Sequence, residues 1–371
     1  MSPLALLWQL VIVGQVDGVA VPDRSELAVS GAGPVTVTLS LAGDAVPGAL
    51  YSWQGTTPSA LLPTGTGTEF SVTVEQPGPV HISVARVNPA TGEVQQGRFA
   101  FARGAMYTAS EWAPAISVDT GGILVAVLDT GLNPLHPVLR GRIAAVGRDF
   151  VEEDDDPADD MGHGTAIAGI IAEGAPAARI LPVKVSHAFG LGYITTVLAG
   201  VRYALSRGAR ILVLASGTDD SASAEVYGTI LREAADAGAL VVTTAGNRPD
   251  PVDLDTHPYF PAVLRLGPML VVSAVDVHGN RAPYSNYGAA TVDVAAYGGA
   301  GTAEDPGPLC ADFRSRGEDL RHAMRGTSFA APVVAAVAAR IWAADSTLSA
   351  EEVRSRVRAA AVNGILSFSN L

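Results

Sequence analysis

The chain has one cysteine, Cys310, in 371 residues, so no intrachain disulfide can form. This leaves the redox compartment open and makes Cys310 an ordinary free thiol in a loop. Charge is scarce as well: Asp, Glu, Lys and Arg are 16% of the residues, against roughly 25% in an average globular protein. The charge present has the wrong sign for polyanions. A net charge of −13 argues against nucleic acid and an anionic membrane surface as partners. Much of the acidity is gathered in "EEDDDPADD", Glu152 to Asp160, which reads as a solvated charge run, with calcium binding as the alternative. Past the N-terminus no apolar stretch is long enough to cross a bilayer, so stable membrane insertion is not expected of the mature form. In place of charge there is glycine, 40 residues of it. That abundance points to helices packed closely on a sheet and to loops where backbone must approach backbone.

The apolar run "PLALLWQLVIVG", Pro3 to Gly14, supports two readings. It has signal-peptide length, and Gly18 to Ala20 offer small residues for cleavage, although "MSP" carries no Lys or Arg. Residues 1–20 would then be a signal peptide and the protein exported, secreted or periplasmic. In the second reading the run is a first β-strand and the protein is cytoplasmic.

From about Val21 to Arg103 the runs "VTVTLSL", "ALYSW", "FSVTV", "HISVARV" and "RFAFA" alternate with period two between Gly, Pro and Asn punctuation. That pattern predicts a small all-β sandwich of immunoglobulin-like kind over residues 21–103. "ARGAMYTASEWAP" reads as a linker. Strands and helices alternate after it: "GGILVAVLD" is a continuous apolar strand, "GTAIAGIIAEG" a helix, "RILPVKV" a strand, and so on to "SAEEVRSRVRAAAV". Residues 104–371 are therefore expected to form an α/β domain, doubly wound on a mostly parallel sheet.

Polar residues fall where such a sheet presents function. Asp129 ends a buried strand, where a carboxylate needs a strong partner. His163 stands between Gly162 and Gly164 at a helix start, which would help keep the imidazole neutral. Ser328, in "GTSFAAP", is either a helix cap or a nucleophile beside unpaired N–H groups that an oxyanion can use. Asn247, after a strand and a glycine, is a turn residue or a second oxyanion donor.

In that order "VLDTG", "GHGT", "TTAGN" and "GTSFAAP" resemble the subtilisin-like serine proteases, the subtilase family, over about residues 105–365. The resemblance implies a serine endopeptidase that works through an acyl-enzyme. Ser328 is then the nucleophile, His163 the base, Asp129 its orienting carboxylate and Asn247 the oxyanion-hole amide. Substrates are proteins or peptides, and no cofactor or metal is required. Two departures matter. Ala166 stands where the family often has a second histidine, and "AEGAPAARI" is too short for the calcium loop that commonly follows, so that structural calcium site looks absent. Ala215, Ser216 and Gly217 occupy the substrate-binding edge, usually Ser-Leu-Gly, so specificity cannot be carried over. Asp250, Asp253 and Asp255, after Asn247, leave open a preference for a basic P1 residue. An idle scaffold used for binding is the competing class, against which all four positions are filled. An acid peptidase of the Ser-Glu-Asp kind would need a Glu at position 163.

Overall fold

Alternating residues in the first hundred positions do give strands. The computed structural model describes a set of strands between Ile12 and Arg103, then residues 109–117, 121–186 and 194–368. The chain divides into two units, Met1–Thr108 and Ala109–Leu371. In the first, Ile12–Val16, Val35–Leu41 and Glu69–Val74 pair antiparallel, with Val19–Val21 at the edge. Leu50–Thr57, Gly78–Val87 and Val94–Arg103 form the centre of a second antiparallel sheet. Each of the five alternating runs contributes one of these strands. The end of the apolar N-terminal run, Ile12–Val16, is a strand; residues 1–11 and 17–18, which hold most of the signal-like pattern, lie outside the described residues.

The stretch read as a linker ends early. Ala109–Trp112 is a short helix of the second unit, and Trp112 is buried, its Nε1–H donating to Asp156 Oδ1 at 3.0 Å.

The second unit is built on a parallel sheet. Its strands are β1 (Leu124–Asp129), β2 (Arg148–Asp149), β3 (Arg179–Lys184), β4 (Ile211–Leu214), β5 (Leu240–Thr244), β6 (Met269–Val275), β7 (Val294–Tyr297) and β8 (Ile365–Leu366). They lie in the order β2-β3-β1-β4-β5-β6-β7-β8, and every neighbouring pair is parallel. Runs of Val, Ile and Leu suit strands with both faces covered. From β1 the chain builds first to one side and then to the other, so the direction of winding switches at β1. In open α/β sheets the carboxyl end of such a strand is where function collects.

Among the described residues five longer helices cover the sheet: α1 (His163–Gly174), α2 (Ile194–Ser206), α3 (Ala224–Asp236), α4 (Thr327–Ala344) and α5 (Ala350–Ala360). Ala126, Leu128, Leu181, Val183, Leu212 and Leu214 face one way and meet Val197 and Val201 of α2 and Ile230 and Leu231 of α3. α1 and α4 pack on each other, and α4 runs against β4 to β7. α4 is long and apolar enough to cross a membrane, but 72% of it is buried inside this unit, as a core helix must be. α5 begins with the capping box expected of Ser349 and Glu352.

Two expectations are corrected. Cys310 is in a short strand, Leu309–Ala311, rather than a loop, and is buried; burial pushes its thiol pKa up to about 12. The acidic run is not wholly solvated. Asp159 and Asp160 are buried, and Asp160 Oδ2 accepts from the buried Lys184 Nζ at 2.8 Å. Asp149 Oδ2, from β2, lies 3.3 Å from the same ammonium. Burial works against the charge on Lys184, but the two carboxylates outweigh it and hold the proton on. For Asp149 burial is the larger influence, and its pKa stays above the usual range despite the lysine.

Removing the cation would leave two buried carboxylates facing each other. Lys184→Met is expected to lose about 3–5 kcal/mol of unfolding free energy. Urea denaturation of the two proteins checks this; equal midpoints would contradict it.

Candidate active site

Parallel pairing brings the strand ends together. β1 pairs with β4 at Val127 and Val213, and β4 with β5 at Leu214 and Thr243. Asp129, the segment Ala215–Gly217 and Asn247 therefore leave the sheet at one edge, side by side.

Glycine allows the next contacts. Gly131 turns with φ +109°, and a Cβ there would lie 2.5 Å from the Ala158 carbonyl oxygen. A Cβ on Gly164 would meet the Gly131 carbonyl oxygen at 2.2 Å. The "DTG" and "GHG" glycines thus let the end of β1 and the start of α1 touch. Thr130 ties the two: its Oγ1 accepts from Gly164 N–H at 3.0 Å and donates to Asp159 Oδ1 at 2.8 Å.

Asp159 organises this junction. Its Oδ1 also accepts from Met161 and Gly162 N–H at 3.0 and 2.7 Å. Its Oδ2 accepts from Thr165 N–H at 2.8 Å and Thr165 Oγ1 at 2.5 Å. The N-cap residue Gly162 has no side chain to satisfy the first turn of α1, so Asp159 does this from three residues upstream. Burial raises the Asp159 pKa, and the donors only partly offset it.

His163 Nδ1 lies 2.8 Å from Asp129 Oδ1, which also accepts from Thr130 N–H at 2.8 Å. Because a carboxylate only accepts, Nδ1 carries the hydrogen and Nε2 presents its lone pair. Burial disfavours the imidazolium, but the charge and hydrogen bond of Asp129, with the charge of Asp159 behind, outweigh it. The His163 pKa is raised. The carboxylates, and not the helix start, set its direction.

Ser328 is the second residue of α4, and the N-cap is Gly326, so the cap reading fails. Its hydroxyl donates to Ala215 O at 2.9 Å; among the described residues no bond joins it to His163. The Phe329 ring meets the His163 ring edge-on, centroids 5.3 Å apart. Asn247 Oδ1 accepts from Thr327 N–H at 2.9 Å and Thr327 Oγ1 at 3.0 Å. The backbone N–H can only donate, so the oxygen of Asn247 is fixed there and its NH2 is left as the donor. The structure thus gathers Asp129, His163, Ser328, Asn247 and Ala215 at one edge. Asp253 and Asp255 do not join them: Asp255 accepts from Ala290 and Thr291 N–H, and Asp253 from Asp255 N–H.

The sequence model of the subtilase family matches residues 120–370. The chain belongs to the subtilase family. Among curated relatives, thermitase from Thermoactinomyces vulgaris is 33% identical over 64% of this chain and 81% of its own length. The thermophilic serine proteinase of Bacillus sp. (strain AK1) is also 33% identical, over 64% of this chain and 56% of its own length. The crystal structure of a cold adapted subtilisin-like serine proteinase matches 66% of this chain and 84% of that one, at 26% identity and a TM-score of 0.57. This subtilase is accordingly a serine endopeptidase, a hydrolase with a subtilisin-like α/β fold.

Sequence reasoning missed Thr130 and Asp159. The available signal was a carboxylate four residues ahead of His163, hidden among other acidic residues.

The His163 shift has a signed consequence. A base must be unprotonated, and a raised pKa keeps the proton on to higher pH. The acid limb of kcat/KM is therefore expected above pH 6.5, the ordinary histidine value. Asp159→Asn removes one of the charges that raise it and should move the limb to lower pH. A limb that stays put in that variant, read from a pH–rate profile, would contradict the coupling.

Proposed function

We propose that this subtilase hydrolyses peptide bonds in protein or peptide substrates through Asp129, His163 and Ser328, with an acyl-enzyme between two half-reactions. The observation that carries the reading is the 2.8 Å contact between His163 Nδ1 and Asp129 Oδ1, which leaves Nε2 as a base. Ser328 Oγ attacks the scissile carbonyl carbon while its proton passes to Nε2. The carbonyl oxygen becomes an oxyanion, held by the Asn247 amide and the Ser328 backbone N–H. Collapse breaks the C–N bond, and Nε2–H protonates the leaving amine. Water then attacks the Ser328 ester with His163 again as base, and the acid product leaves with the serine restored. Asp129 keeps the imidazole in its tautomer and stabilises it when charged.

Subtilases need no cofactor for these steps. Among the described residues no group of three or more His, Cys, Asp or Glu is arranged to hold a metal ion.

An extended substrate pairs by its backbone with Ala215, Ser216 and Gly217, as an added strand. The strands of residues 21–103, joined by Ile12–Val16 and Val19–Val21, form a β-sandwich accessory domain that precedes the catalytic domain in the chain; the pairing of Ile12–Val16 into its sheet favours the strand reading of the N-terminal run over a cleaved signal.

One observation favours the idle scaffold: the Ser328 hydroxyl is engaged by Ala215 O rather than by His163. That bond must be exchanged before attack. Labelling with a fluorophosphonate separates the readings. The wild type should label and Ser328→Ala should not; an unlabelled wild type favours the scaffold. Asn247→Ala should lower kcat about 10²–10³-fold, measured on a peptide substrate, while labelling persists.

A further inference from the structure

Tyr259 is a residue that sequence reasoning did not mark. Its neighbour Phe260 exchanges two backbone hydrogen bonds with Thr218: Thr218 N–H donates to Phe260 O at 2.9 Å, and Phe260 N–H to Thr218 O at 2.7 Å. This short antiparallel bridge pins Tyr259 against the segment that follows β4. The ring then enters the space between two glycines. A Cβ on Gly217 would lie 2.7 Å from Tyr259 Cε1 and 2.8 Å from Cζ. A Cβ on Gly246 would lie 2.7 Å from Cζ and 2.8 Å from Cε1. One ring edge therefore contacts both backbones.

Both glycines belong to segments that flank the nucleophile. Gly217 is two residues past Ala215, whose carbonyl holds the Ser328 hydroxyl. Gly246 immediately precedes Asn247, whose oxygen is tied to Thr327. Outside the ring, Arg248 pairs with Asp219 and joins the same two segments. A peptide lying along Ala215–Gly217 with its carbonyl at Ser328 and Asn247 has its side chains alternating from one face to the other. The side chain of the residue that supplies the scissile carbonyl enters between the two segments. There the Tyr259 ring is already in place.

We propose that Tyr259 is a specificity-determining residue: its ring shortens the cleft between Gly217 and Gly246, so that the residue on the acyl side of the cut bond must be small, Gly, Ala or Ser. The inference rests on the preceding reading of Ala215–Gly217 as the substrate edge and of Ser328 as the nucleophile. Long and aromatic side chains have no volume to occupy unless the ring is displaced from between Gly217 and Gly246.

The test has two readouts. The first is kcat/KM for acetyl-tripeptide p-nitroanilides ending in Ala or Phe. The second is the affinity of the Ser328→Ala protein for the matching free-acid tripeptides, which needs no chemistry. The wild type should favour Ala over Phe at least about ten-fold in both, the lower bound for a volume mismatch of even one methylene. Tyr259→Gly should reverse the order, and Tyr259→Phe, which keeps the ring, should preserve it. A wild type that takes Phe as well as Ala would overturn the proposal without any variant. So would an unchanged ratio in Tyr259→Gly, or binding of neither peptide. Selective binding of the Ala peptide without hydrolysis of either substrate would support the cleft and count against the catalytic reading instead.

Discussion

A buried carboxylate, Asp159, holds together the place where strand β1 stops and helix α1 starts. A charge in a protein interior must be surrounded by donors, and Asp159 finds them on both sides of that junction. Thr130 comes from the strand end, while Met161, Gly162 and Thr165 come from the helix entry. Asp129 is one residue from Thr130, and His163 lies between Gly162 and Thr165. Their relative position follows from how one neighbouring anion is satisfied. The same anion contributes to the field that keeps the imidazole proton in place. Asp159 thus sets the geometry at this edge of the sheet, and it adds to a basicity that Asp129 mainly sets.

Much of this was legible in the chain because the signals were local. Continuous Val and Ile runs mark the buried parallel strands, Ser349 and Glu352 mark the start of α5, and four short motifs mark the site. What could not be read depends on contacts between distant segments. Nothing in "EEDDDPADD" tells which aspartates turn inward; that is decided by Lys184, which arrives from β3. Trp112 looked like linker because its partner, Asp156, is 44 positions away. Ser328 could be a cap or a nucleophile until the helix was seen to begin one residue before it, at Thr327, with Gly326 as the cap.

The low charge content also takes on a physical meaning. α4 is built almost wholly of small apolar residues, and fourteen of its side chains, from Thr327 to Trp342, are buried. Pro332 offers no N–H to the Ser328 carbonyl, so the first turn is held by its surroundings more than by its own ladder. A helix so deeply enclosed has little freedom to tilt. The position of Ser328 therefore depends on core packing, and the position of Asn247 on its bonds to Thr327 in the same turn.

The two glycines beside Tyr259 are constrained beyond that ring. With the ring gone, a Cβ on Gly217 would still meet the Phe260 carbonyl oxygen at 2.5 Å, and Gly246 would still sit at φ +88°. The walls of the cleft are fixed by backbone, and only its floor is a side chain. A lineage carrying this scaffold can drift at position 259 without disturbing either wall, whereas changes at 217 or 246 are closed to it in any order. Divergence in diet among such enzymes would then be recorded at a single codon.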